Sequence, residues 1–132
     1  MVIGGRRGGS KMPYKVSEHY DWALIKDGVI PDGGVAYTDA IDTSALMQKT
    51  VYVKADGAVT ITIEGSWGEN DFCELKTGDL GGGSAAEDSD LSWSCDDELI
   101  CFPVYAHLRN MRVKLSNNSG GSVTVSVWVS GA

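Results

Sequence analysis

Two histidines, His19 and His107, and three cysteines, Cys73, Cys95 and Cys101, are the first places to look for chemistry in this 132-residue chain. A cysteine nucleophile needs a histidine within hydrogen-bond reach. His19 heads a run of strand-forming residues and His107 lies beside Tyr105 and Leu108, and no spacing ties either to a thiol. The expectation is therefore a non-enzymatic protein with no catalytic residues. Zinc sites repeat Cys or His at short spacing, whereas Cys95-x5-Cys101 has no second pair. The acids Glu87-Asp88-Asp90 and Asp96-Asp97-Glu98 offer hard oxygen ligands for calcium, but they lack the spacing of a calcium-binding loop. They read as solvated turns, so no metal and no cofactor is expected. Gly81-Gly82-Gly83-Ser84 has neither the lysine nor the following helix of a phosphate loop.

An odd cysteine count argues against a fully paired secreted framework. Cys95 and Cys101 flank Asp96-Asp97-Glu98-Leu99-Ile100. Two readings stand: a Cys95–Cys101 disulfide across a hairpin end, or three thiols packed as small hydrophobes.

Charge separates the chain into two parts. Residues 1–15 carry Arg6, Arg7, Lys11 and Lys15 and no acid, a charge of +4, so the remainder carries −11 of the total −7. An acidic body argues against nucleic-acid binding by the folded surface, and no direct nucleic-acid partner is expected. The glycine-rich residues 1–15 read as a flexible basic N-terminal arm reaching for an acidic partner, with Val2, Ile3 and Met12 as apolar anchors. No apolar run follows its arginines, so it does not read as a secretory signal. No apolar run anywhere reaches the ~18 residues of a membrane helix, so no membrane partner is expected. Asn117-Asn118-Ser119 matches a glycosylation acceptor, which matters only in a secreted eukaryotic protein.

The elements that must position these groups are strands. Val51–Gly65 alternates Val51, Val53 and then Val59, Ile61, Ile63 against polar neighbours, about Ala55-Asp56-Gly57-Ala58. This pattern predicts a hairpin with a positive-φ Asp-Gly turn. A second hairpin is predicted over Arg109–Ser130, with Met111, Val113, Leu115 and then Val123, Val125, Val127, Val129 inward. Further strands are predicted over 19–25, 35–41, 46–54, 71–77, 91–95 and 99–104, with turns at Lys26-Asp27-Gly28 and Asn117–Gly121 and a loop over 78–90. About eight or nine short strands without helical periodicity imply an all-β fold, an antiparallel β-sandwich or barrel, forming a single domain over 16–132. Among four tryptophans, Trp67 falls in a turn and Trp128 points away from its strand's valine face. Both suit subunit contacts, where aromatics are enriched, ahead of sugar stacking.

Tyr37–Ser44, Lys49–Trp67 and Leu108–Ala132 together resemble the small β-sandwich virion proteins of tailed phages, of the capsid decoration (cement) type. The resemblance lies in strand texture across residues 37–132. It implies a jelly-roll-like antiparallel β-sandwich and a non-enzymatic viral structural protein, made in the host cytoplasm, that binds and stabilises the capsid exterior. The implied partner is the major capsid protein, the implied assembly a homo-oligomer, a trimer, with the arm contacting neighbouring subunits. The alternatives are a carbohydrate- or receptor-binding module of a virion fibre, and a tail or shell structural subunit.

Overall fold

The computed structural model describes residues 19–68, 70–76 and 91–132. Among these there is no helix, and ten strands form two antiparallel sheets packed face to face. Sheet I orders β1 (Tyr20–Ile30), β10 (Val123–Gly131), β4 (Lys49–Ala55) and β8 (Glu98–Val104). Sheet II places β9 (Asn110–Asn117) and β5 (Val59–Ser66) at its centre. β2 (Val35–Tyr37) and β3 (Ile41–Asp42) share one edge of it, and β6 (Phe72–Glu74) and β7 (Ser92–Cys95) share the other. Counting each divided edge once, the chain makes eight strand positions. It changes sheet at every connection except the one from β5 to β6. That is jelly-roll wiring.

The alternation read from the sequence fills the space between the sheets. Val51 and Val53, Ile61 and Ile63, Met111, Val113 and Leu115, and the four valines of β10 are all buried in one core. Trp93 of sheet II stacks on Phe102 of sheet I at 4.0 Å between ring centroids, closing the sandwich beside the β7 and β8 edges.

Neither expected hairpin forms. β4 pairs with β10 and β8, while β5 pairs with β9, β6 and β7, so residues 56–58 arch from one sheet to the other. β9 and β10 are likewise in opposite sheets. Inward-facing valines look the same in sequence whether two strands pair edge to edge or face each other across a core. The two arches brace one another. Asp56 N–H donates to Thr124 O at 3.2 Å, Thr124 N–H donates to Asp56 Oδ1 at 2.8 Å, and Asn118 N–H donates to Ala58 O at 3.0 Å. Gly57 is not among the positive-φ residues. It serves close approach instead, since a Cβ there would lie 2.9 Å from Val123 Cγ2.

Other local expectations shift. Lys26-Asp27-Gly28 is no turn: β1 runs through it, with register shifts against β10 and with Asp27 at φ 52°. The 35–41 strand is broken at Thr38, whose Oγ1 accepts Val113 N–H at 2.9 Å in place of a ladder carbonyl. Val35 and Tyr37 then face outward while Ile41 is buried. β5 is not half-buried: Thr62, Glu64 and Ser66 on its outer side are buried as well. The arm at 1–15 and the whole 78–90 loop, with Gly81–Ser84 and Glu87, Asp88 and Asp90, lie outside the described residues.

Candidate functional site

One end of the sandwich gathers the start of β4, the ends of β5, β8 and β10, and the starts of β1 and β9. Two connections dominate it, residues 43–48 and 105–109, and they are stitched together. Thr43 Oγ1 donates to Leu108 O at 2.7 Å, and Thr43 N–H to Arg109 O at 3.0 Å. Nε2 of His107 lies 3.1 Å from Ser44 O. The carbonyl can only accept, so Nε2 carries the proton. The Lys49 ammonium, buried at the head of β4, donates to Ala106 O at 2.8 Å. Burial pushes its pKa below the ordinary lysine value.

These pinned loops carry apolar side chains into solvent. Met47 is 78% exposed, Tyr105 74%, and Trp67, just past β5, 81%. Beside Trp67 opens a cleft of about 410 Å³. Gly65, Leu75 and Leu108 line its floor, and Trp67, Arg109, His107, Cys73, Glu74, Ser44 and Ser66 complete its lining. The floor depends on Gly65, where a Cβ would come within 2.7 Å of Leu108 Cδ2.

The charges around the cleft are unevenly matched. The Arg109 guanidinium stands over the Trp67 indole at 5.5 Å from its centroid, a cation–π geometry. Among the described residues no carboxylate lies within ion-pair distance of Arg109. Asp42 feels its charge, but that carboxyl is held below its ordinary pKa first by Ser44 Oγ at 2.6 Å and then by Ser44 N–H at 3.0 Å. Glu74 is neutralised by Lys114 Nζ at 2.9 Å, and this bond raises the lysine's pKa.

The expected site residues scatter. Trp67 stands on the cleft rim. Trp128 lies half-buried on the outer face of sheet I, in a cross-strand row with Ala23, Tyr52 and Cys101. Val2, Ile3, Arg6, Arg7, Lys11, Met12 and Lys15 lie outside the described residues. The Cys95–Cys101 bridge is not formed, and all three thiols are free. β7 and β8 belong to opposite sheets, with Cys95 in the core and Cys101 on an outer face. Burial raises the Cys95 pKa, and Sγ contacts Glu98 O at 3.2 Å. Cys73 and His107 do share the cleft, yet Cys73 Sγ is directed to Gly65 O at 3.7 Å. His19 contacts Asp21 at 3.1 Å. No thiol–histidine hydrogen bond occurs among the described residues. No group of three or more potential metal ligands occurs among them either. In the glycosylation triplet, the Asn117 amide is buried and fully engaged.

Sequence reasoning missed Met47, Tyr105 and Arg109. They sit in two connections that come together only when β4, β8 and β9 are placed, and no local pattern marks them.

No known protein family matches the chain, and no curated protein matches it. Among solved structures, the fold is similar to that in a crystal structure of PirA, with a TM-score of 0.44 and 13% identity over 92% of this chain and 98% of that one. A likeness this distant bears no functional argument.

Proposed function

We propose that this chain is a non-enzymatic structural protein of a tailed-phage particle, a decoration subunit that docks on the capsid exterior. The phage assignment rests on the sequence resemblance. The observation that carries docking is the end formed by Met47, Trp67 and Tyr105. Three large apolar side chains stand in water there, Met47 and Tyr105 on loops held by part-buried hydrogen bonds and Trp67 directly after β5. Apolar groups presented on a rigid frame mark association surfaces, and little ordering entropy remains to be lost when such a surface docks. In this reading the basic arm at residues 1–15 adds charged contacts to an acidic neighbour.

Cryo-electron microscopy of particles from the chain's own source tests the reading. The expected result is density for this jelly roll, as trimers, on top of a separate shell lattice with the Met47–Tyr105 end facing the shell. The double variant Met47→Ser, Tyr105→Ser should bind stripped particles at least tenfold more weakly. Location in a tail or fibre, or absence from particles, overturns the proposal.

A further inference from the structure

We infer that the cleft beneath Trp67 binds a saccharide bearing a carboxylate. The inference goes beyond capsid docking and does not rest on it. Four features of the lining converge on this chemistry. The Trp67 indole is open to solvent and offers the flat apolar surface on which the C–H face of a pyranose packs. Arg109, beside it, holds a guanidinium with no carboxylate partner among the described residues. A guanidinium matches a carboxylate bidentately, and this one sits in a chain of net charge −7, where an unpaired cation at a cleft is set against the overall field.

The remaining polar groups are acceptors. Ser44 O fixes the proton of His107 on Nε2, which leaves Nδ1 to accept. Lys114 occupies Oε2 of Glu74 and leaves Oε1 to accept. Acceptors on the wall suit hydroxyl donors, and the single unpaired cation suits one carboxylate. The apolar floor of Leu75 and Leu108 suits the ring itself. A volume of about 410 Å³ falls within the range of small-molecule sites and has room for one or two sugar rings. An acidic peptide would satisfy Arg109, but its backbone N–H groups and chain would leave the open indole face unexplained.

Isothermal titration of the full chain tests this with matched probes: sialyllactose and trigalacturonate as carboxylated sugars, lactose as the neutral control, and a Gly-Gly-Glu peptide as the non-sugar acid. At least one carboxylated sugar should bind with a Kd of about 1 mM or tighter, with lactose and the peptide at least tenfold weaker. Trp67→Ala and Arg109→Gln should each weaken binding at least tenfold while circular dichroism melting shows the fold retained. Met47→Ser, Tyr105→Ser, outside the cleft lining, should leave sugar binding unchanged, which separates the sugar contacts from docking although Trp67 belongs to both surfaces. No binding by either carboxylated sugar, equal binding of the peptide, or full binding by a folded Arg109→Gln variant overturns the inference.

Discussion

Nε–H of Arg112 donates to Oε1 of Glu64 at 2.6 Å, from the outer face of β9 to the neighbouring strand β5. The guanidinium is clamped as well, 4.3 Å from the Tyr37 ring centroid and 4.1 Å from that of Phe72. One arginine thus joins β2, β9, β5 and β6 across the whole of sheet II. It explains how a carboxylate on a central strand is only 6% exposed.

Removing one partner of this pair leaves the other's charge buried. Arg112→Met should cost about 3–5 kcal/mol in urea unfolding, whereas the double variant Glu64→Met, Arg112→Met should lose clearly less. Arg112→Lys should fall between, because an ammonium cannot stack as a plane between two rings. A double variant as unstable as the single would show that the rings, not the charge pair, hold the sheet.

Asn117 performs the matching task at the opposite end. Its Nδ2 lies 2.9 Å from Ile30 O, 2.9 Å from Pro31 O and 2.7 Å from Gly121 O, and its Oδ1 accepts from Ser119 N–H and Oγ. Asn117→Asp preserves shape but replaces the donor with an oxygen facing three carbonyls. A charged group left without a donor should cost at least about 3 kcal/mol at pH 7, measured by denaturant unfolding. A loss under 1 kcal/mol would mean that the 31–34 and 117–121 connections rearrange freely.

The thiols give a direct check on topology. Iodoacetamide should label Cys73 and Cys101 in the native protein and spare Cys95, which is buried and whose pKa is raised by that burial. Mass spectrometry before and after unfolding reads the difference. A Cys95–Cys101 disulfide in the isolated, air-exposed protein would contradict the placement of β7 and β8 in opposite sheets.

These cases mark what the sequence could disclose. The strands were legible because each of Val123, Val125, Val127 and Val129, or Met111, Val113 and Leu115, sits on the one face that leaves water. Pairing was not legible, because Val53 and Val59 present the same alternation whether joined by a hairpin or by an arch. The Asp56-Gly57 pair favoured the hairpin, yet its aspartate caps β10 and its glycine admits Val123. Trp67 was legible as an aromatic in a turn. The cleft beside it was not, because Arg109, His107 and Ser44 are brought to Trp67 only by hydrogen bonds between the 43–48 and 105–109 connections.

Lys49 offers the sharpest test of energetics at the candidate site. It is 2% exposed, and its ammonium has a single hydrogen bond, to Ala106 O, with no carboxylate in ion-pair range among the described residues. Burial lowers its pKa from the ordinary 10.5. Between the lowered value and 10.5 the unfolded chain therefore binds more protons than the native one, so this group's contribution to stability rises with pH through that window. Lys49→Met keeps the apolar stem and removes the charge. The variant should be more stable than the parent at pH 7 by about 1–2 kcal/mol, within the range seen when buried charges give way to hydrophobes. The advantage should then shrink as pH approaches 10.5, because the parent sheds the proton that the variant never held. Comparing the two chains at each pH cancels the other titrating groups, including Lys114, whose raised pKa acts with the opposite sign. A gap that stays constant from pH 7 to 10.5 would show that the ammonium is not buried, and with it that the 105–109 connection is not pinned beneath the cleft.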